Sequence, residues 1–109
     1  MGPRAFRVQP ADNVATLLED GAAGVHVEVL GAAPGLVELL EPVAMGHKTA
    51  LTEIRAGEAV VKFGVPIGVA TRAIRSGEWV HLHNCASRVD ERSATLDVAT
   101  GATTDMAYE

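Results

Sequence analysis

The sequence has 109 residues, which suits one domain with a modest hydrophobic core. Its formal net charge of −5 excludes a protein that grips nucleic acid through a basic face. No apolar run reaches the ~20 residues that a membrane-spanning helix needs. Cys85 is the one cysteine, so no intramolecular disulfide can form, and without a signal pattern we expect a cytoplasmic protein. Because only 4% of residues are aromatic, the core is expected to consist of Val, Ile, Leu and Ala.

The first half of the chain predicts short strands separated by turns. The clearest alternation is Val25–Val29, where the valines point to the core while His26 and Glu28 point to solvent. Pro10–Asn13 favours a turn, because proline fixes φ and Asx side chains bond to nearby amides. The other predicted strands here are Phe6–Val8, Val14–Leu18 and Leu36–Leu40, the last stopped by Pro42.

One short pattern occurs twice in the second half of the chain. Ile54-x-x-Gly57-Glu58 and Ile74-x-x-Gly77-Glu78 each precede a run of β-forming residues. In each copy the isoleucine is expected to enter the core, and the glycine to adopt a backbone conformation that other residues disfavour. Weaker copies end at Gly24 and Gly46. The pattern predicts an all-β fold of brief strands and tight turns, with little helix.

Further strands are predicted from the β-forming runs near these turns. His47–Leu51 follows Gly46, while Ala59–Lys62 and Trp79–His83 follow the paired turns. Gly64–Gly68 predicts a tight connection instead of a strand, because two glycines flank a proline. We therefore expect the segments on either side of this connection to form the regular structure.

The end of the chain differs in composition from the rest. Residues 86–109 are rich in alanine, threonine and aspartate and lack a strong core pattern. We predict a domain over residues 1–85 and a tail or linker over residues 86–109, partly disordered and ordered only against a partner. Ala94–Val98 is the one stretch of this tail that suits a strand.

The strongest candidate for chemistry is His81-x-His83. Residues two apart in a strand point the same way, ~6–7 Å apart, so two imidazoles can coordinate one metal or line one anion pocket. Asn84 adds a neutral donor and acceptor. The competing interpretation is a solvated strand face, because short His-x-His matches are common by chance. Two histidines leave a divalent ion under-liganded, so we expect no tight metal site in this chain alone.

His47 and Lys48 form the second candidate. Adjacent strand residues face opposite ways, so both enter one pocket only if a bend at Gly46 redirects them. Lys48 suits a carboxylate partner as a flexible point charge, and the alternative is a surface lysine. Lys62 carries the same two interpretations. Cys85 is interpreted as an idle buried thiol, because no base is placed beside it by the sequence.

Five short motifs follow one another in a recognisable order. They are Asp12-Asn13-Val14-Ala15, Gly46-His47-Lys48-Thr49-Ala50-Leu51, Ile54-x-x-Gly57-Glu58, Val61-Lys62-Phe63-Gly64-x-Pro66-Ile67-Gly68-x-Ala70-Thr71 and Ile74-x-x-Gly77-Glu78-Trp79-Val80-His81-x-His83-Asn84. Their order resembles the SAF-type N-terminal domain of altronate and galactarate dehydratases. The same domain type is similar to the small subunit of sulfolactate sulfo-lyase.

The resemblance implies a SAF-type β-clip, a compact β structure of long hairpins folded over on itself. It implies lyase chemistry, in which a 2,3-dihydroxy sugar acid loses water to give a 2-keto-3-deoxy acid, with iron or manganese as the divalent metal. It also implies a large catalytic subunit or C-terminal domain, so this chain is not expected to be a complete catalyst. Phe63 and Leu82 stand where many relatives carry tyrosine and threonine, which leaves the identity of the acid open.

On this resemblance, one substrate-facing rim is expected to be shared by five polar residues: His47, Lys48, His81, His83 and Asn84. The histidines His47, His81 and His83 would act as acid–base groups or lie near a metal bound in the complex. Lys48, Asn84 and Lys62 would bind the substrate. Two alternatives stay open: a sulfolactate sulfo-lyase subunit, and a noncatalytic carbohydrate-binding or assembly module. Exposed strand edges favour either a homo-oligomer or docking to a partner.

Overall fold

The structure, a computed structural model, describes residues 2–87. This part of the chain contains nine strands and no helix, so it has no helix that could cross a membrane. The prediction of an all-β fold is confirmed. The strands are β1 (Arg4–Arg7), β2 (Val14–Leu17), β3 (His26–Gly31), β4 (Gly35–Glu38), β5 (Lys48–Ala50), β6 (Ala59–Lys62), β7 (Val65–Ala70), β8 (Trp79–Val80) and β9 (Cys85–Ser87).

The strands form two sheets. Six strands pair in the order β4-β3-β1-β2-β5-β8, and three pair in the order β6-β7-β9. Neighbouring strands are antiparallel except for β1 and β3. Two clusters of buried side chains fill the interior, one around Leu17 and Leu39 and the other around Ile54 and Ile74. Their fully buried members are Val, Leu, Ile and Ala with Cys85, as the composition predicted.

The two Ile-x-x-Gly-Glu copies meet each other in the fold. The amide of Ile54 donates to the carbonyl of Ile74, and the amide of Ile74 donates back, each at 2.8 Å. The turn glycines have nearly equal positive φ values, 87° at Gly57 and 92° at Gly77. Such values are readily adopted by glycine only, which explains the glycine in each copy.

The weaker copies form a second pair of the same kind. Gly21 and Val43 exchange backbone hydrogen bonds of 2.8 and 2.9 Å. Their turns end at Gly24 and Gly46, both with φ of 86°. The predicted recurrence is therefore confirmed, and the fold contains two pairs of matching turns.

Gly64–Gly68 is not the tight connection that its composition predicted. Strand β7 begins at Val65, directly after a turn at Phe63 and Gly64. Pro66 is tolerated because it lies opposite Val61, beside a register shift in β6, whereas pairing with β9 extends only from Gly68 to Ala70. Proline therefore removes no donor from the three-stranded part of the sheet.

The last described strand crosses the predicted domain boundary. β9 continues to Ser87, which pairs with Gly68 of β7. The remainder of the predicted tail, including the predicted strand at Ala94–Val98, lies outside the described residues.

Candidate functional site

The segment after β8 is a loop built around Asn84. The predicted extended strand over Trp79–His83 is wrong, because β8 ends at Val80 and the chain then turns. Asn84 is fully buried, and its side chain accepts a hydrogen bond from the His81 amide at 3.0 Å and donates to the Trp79 carbonyl at 2.8 Å. A side chain that bonds locally to the backbone competes with strand pairing, and here it stabilises a turn.

This loop and the turn before β5 gather three imidazoles around one indole. The ring of His81 stacks on Trp79 with centroids 5.1 Å apart, and the ring of His83 lies 4.9 Å from the same indole. His47 lies 5.6 Å from Trp79 and 5.3 Å from His81. The structure thus brings together the three histidines that the sequence singled out, although not by the predicted strand geometry. We call Trp79 with His47, His81 and His83 the indole–imidazole cluster.

The hydrogen bond between Trp79 and His47 fixes how this histidine can act. Nε1–H of Trp79 donates to Nδ1 of His47 at 3.2 Å. An indole nitrogen is a donor only, so Nδ1 of His47 must be the unprotonated acceptor. The neutral imidazole therefore carries its proton on Nε2, which is the nitrogen left to donate to a ligand.

A cleft opens beside the cluster. It has a volume of about 440 Å³, within the range of small-molecule sites. The Gly21–Val43 pair of turns contributes to its wall, and Glu41 ties that wall to Trp79 by accepting its backbone amide at 3.0 Å. The residues that line the cleft are Asp20, Gly21, Pro42, Val43, Ala44, His47 and Trp79.

The other predicted site residues lie in different environments. Lys48 is 4% exposed and Asn84 is 0% exposed, so neither presents its side chain on an open rim. Lys62 lies in the smaller sheet, with its Nζ 4.9 Å from the centroid of the Phe63 ring. Burial lowers the pKa of Lys62, and the nearby carboxylate of Asp12 opposes that shift. The substrate-binding roles of these three residues stay predictions.

Within residues 2–87, no group of three or more His, Cys, Asp and Glu side chains is arranged to hold a metal ion. Nδ1 of His47 is already engaged by Trp79, which removes one ligand atom from the cluster. These residues therefore do not fit a complete metal site.

Trp79 is the site residue that the sequence reasoning missed. It is the one tryptophan in the chain, and it stands two positions before His81. In a sequence so poor in aromatic residues, a tryptophan beside two histidines was the available signal. Trp79 and His47 are 32 positions apart in the sequence, so no local residue pattern shows their contact.

Comparisons with known proteins show the family to which this fold belongs. The altronate/galactarate dehydratase SAF domain family matches residues 3–88. An altronate dehydratase from Escherichia coli (strain K12) is 41% identical over 86 residues, which cover 79% of this chain and 17% of that protein. The altronate dehydratase of Bacillus subtilis (strain 168) is 32% identical with the same coverage of both chains. A galactarate dehydratase (L-threo-forming) from Escherichia coli (strain K12) is 36% identical over 80 residues, 72% of this chain and 14% of that protein.

A second group of similar proteins is shorter. The (2R)-sulfolactate sulfo-lyase subunit alpha of Chromohalobacter salexigens is 37% identical over 51 residues, which cover 47% of this chain and 54% of that subunit. By contrast, this chain spans 17% of the length of each altronate dehydratase that it matches.

Proposed function

Because the chain belongs to the altronate/galactarate dehydratase SAF domain family, we propose that it is the small domain or subunit of a sugar-acid dehydratase. In this proposal the complete enzyme removes water from an altronate- or galactarate-type acid and releases a 2-keto-3-deoxy acid. The observation that carries the proposal is the gathering of three histidines on Trp79 beside a cleft, within a chain of this family. A larger catalytic part supplies the rest of the active site.

The reaction makes three chemical demands. The substrate carboxylate must be held, a proton must leave Cα, and the Cβ hydroxyl must depart with a proton as water. The enol that remains then tautomerises to the 2-keto acid. Imidazoles suit the proton transfers, because their unperturbed pKa lies near neutral pH.

We assign these tasks within the indole–imidazole cluster by accessibility and hydrogen bonding. His83 is exposed and His81 is half-buried, so they are the groups that reach a substrate held by the larger part. His47 donates through Nε2–H to a substrate oxygen, with its tautomer set by Trp79. Asn84 acts as a positioning residue, since its side chain is used in holding the loop that carries His81 and His83.

Any iron or manganese of the complete enzyme is assigned to the larger part. Among residues 2–87, no three His, Cys, Asp or Glu side chains are arranged to hold a metal ion, and Nδ1 of His47 is bonded to an indole. A divalent metal would polarise a substrate oxygen and help the hydroxyl to leave. The contribution of this chain is then proton transfer and closure of the site.

A second candidate function is supported by the sulfo-lyase subunits. The chain covers 54% and 69% of the two similar alpha subunits, far more than it covers of the dehydratases. In that case the complete enzyme would eliminate sulfite from a sulfonated hydroxy acid. The altronate dehydratase match covers 79% of this chain, whereas the sulfo-lyase match covers 47% of it. This difference favours the dehydratase.

The test is to assay the complete enzyme, with this chain and the larger part together, on altronate, galactarate and sulfolactate. We expect a 2-keto-3-deoxy acid from altronate or galactarate and no sulfite from sulfolactate. Sulfite release without keto-acid formation would establish the sulfo-lyase instead. An assembled complex that converts none of the three acids would contradict both candidates.

A further inference from the structure

The hairpin between β6 and β7 has an unusual tip. Its two central residues both have positive φ, 59° at Phe63 and 76° at Gly64. Consecutive residues of this kind suit a tight hairpin turn, but the first position favours asparagine, aspartate or glycine. A phenylalanine there is disfavoured by its own Cβ, so its presence needs another explanation.

A buried carboxylate holds this tip in place. Asp12 is 2% exposed and accepts hydrogen bonds from the amides of Phe63 at 3.1 Å and Gly64 at 2.8 Å. The same carboxylate accepts the amide of Gln9 at 3.1 Å. Asn13 fixes the preceding strand, because its side chain accepts the Val61 amide at 2.8 Å. The tip is therefore a rigid platform attached to a distant part of the chain.

The side chains on this platform are apolar and accessible. Phe63 is 56% exposed and Val65 is 52% exposed. The ammonium group of Lys62 lies 4.9 Å from the centre of the Phe63 ring. A preorganised aromatic side chain beside a cation is typical of the anchor residues of protein interfaces. Folding alone gains little from holding a phenyl ring in water on a disfavoured backbone.

The direction of β9 relates this platform to the continuation of the chain. Cys85 lies opposite Ala70 and Ser87 lies opposite Gly68, so the chain runs antiparallel to β7. Residues earlier in β7 lead back to Val65 and the hairpin tip. The family match ends at residue 88, beside the end of β9. The described part of the chain therefore runs towards the hairpin tip at the point where the family match ends, so the tip lies on the side from which the chain continues.

We propose that Phe63, Val65 and Lys62 form the surface that docks onto the larger catalytic part of the enzyme. The matching surface is an apolar pocket with a carboxylate at its rim, which receives the ring of Phe63 and pairs with Lys62. This proposal rests on the proposed function for the existence of that larger part. It differs from the cleft at Trp79 in its residues, its sheet and its role.

Photo-cross-linking in the complete enzyme tests this directly. The photoreactive residue p-benzoylphenylalanine replaces Phe63 in one sample and Leu36, which is 70% exposed on β4, in the control. After irradiation, mass spectrometry identifies the linked peptides. We expect the probe at position 63 to link to the larger part and the probe at position 36 to link there much less. Links from position 63 only to its own chain, or only to a second copy of it, would overturn the proposal.

A substitution pair gives an independent readout. Phe63→Asp should weaken association with the larger part about tenfold or more, whereas Phe63→Tyr should change it less than about twofold. Circular dichroism of each variant checks that the β fold is retained, and keto-acid formation is measured on the same samples. Wild-type association of a folded Phe63→Asp variant would overturn the docking surface while leaving the dehydratase proposal intact. Cross-linking to the larger part without keto-acid formation would support docking and contradict the proposed function.

Discussion

The two Ile-x-x-Gly-Glu units have the same backbone but lead to different loops. In both units the isoleucine is buried, the glycine has positive φ, and the glutamate amide bonds back to an arginine carbonyl, at 2.9 and 3.0 Å. The first unit leads into β6 and the hairpin tip at Phe63. The second leads into β8 and the loop that carries His81 and His83. Repeated turns therefore provide the framework, and the loops that follow them carry the chemistry.

Each loop is held by one buried polar side chain. Asp12 accepts the amides at the hairpin tip, and Asn84 bonds the backbone on both sides of the histidine loop. The first bond set reaches across 51 residues or more, whereas the second spans 3 to 5. The two units and their loops should therefore respond differently to substitution.

The two turn glycines should respond very differently to alanine. A Cβ at Gly77 would overlap the carbonyl oxygen of Glu38, whereas a Cβ at Gly57 would meet open space. We expect Gly77→Ala to lower the free energy of unfolding by about 4 kcal/mol, from backbone strain together with the clash. Gly57→Ala carries only the strain, about 1 kcal/mol, and serves as the matched control. Urea denaturation measures both, and equal losses would show that the two units are not packed differently.

Removal of the Asp12 carboxylate should release the hairpin tip. Asp12→Ala leaves three backbone amides without their acceptor, so we expect a loss of about 3 kcal/mol in the free energy of unfolding. Asp12→Asn retains one oxygen acceptor and should lose less. Hydrogen exchange at the Phe63 and Gly64 amides should accelerate in the alanine variant. Unchanged exchange would contradict the conclusion that Asp12 holds the hairpin tip in place.

Asn84→Ala should disturb the histidine loop with a smaller cost. Two part-buried hydrogen bonds are lost, and the Trp79 carbonyl loses the Asn84 donor, so we expect a loss of about 2 kcal/mol in the free energy of unfolding. The fluorescence of Trp79, the one tryptophan of the chain, reports the change in its imidazole neighbours. Asn84→Asp retains the acceptor but loses the donor and isolates the bond to Trp79. If both variants had the fluorescence spectrum and stability of the wild type, Asn84 would not be the residue that holds the histidine loop.

The smallest effect concerns Lys62 and pH. Burial lowers its pKa from the ordinary value of 10.5, so the unfolded chain binds this proton more tightly than the folded chain. Stability should therefore rise as pH increases from the folded pKa towards 10.5. Lys62→Met should abolish this rise and be slightly more stable than the wild type at neutral pH. Urea midpoints at about pH 7 and about pH 10 measure the change, and a rise that persists in Lys62→Met would assign it to another group.

Local sequence patterns predicted the framework well. The paired glycine turns, including the weak copies at Gly24 and Gly46, and the outward positions of His26 and Glu28 depend on short-range rules of φ and alternation. Those rules act within a few residues, so a single sequence contains the necessary information. The composition likewise predicted an aliphatic core, because the chain has few aromatic residues to bury.

The site depended on contacts that local patterns do not encode. The Asn84 side chain bonds to the backbone of His81 and Trp79 and so ends the strand that His81 and His83 were expected to share. An alternating sequence gives no sign of such a bond. The approach of His47 to Trp79 follows from pairing of β5 with β8, which is a property of the sheet. The charge of Lys48 predicts a place on an open rim, but Lys48 lies in β5, where all three residues are buried.

The most direct test of the indole–imidazole cluster is the effect of its histidines on catalysis by the complete enzyme. The double variant His81→Ala/His83→Ala should lower kcat/KM for the sugar acid by about 100-fold or more, because proton transfer in the transition state is lost. His26→Ala, at an exposed strand position, should leave kcat/KM unchanged. A folded, assembled double variant with wild-type kcat/KM would contradict the account.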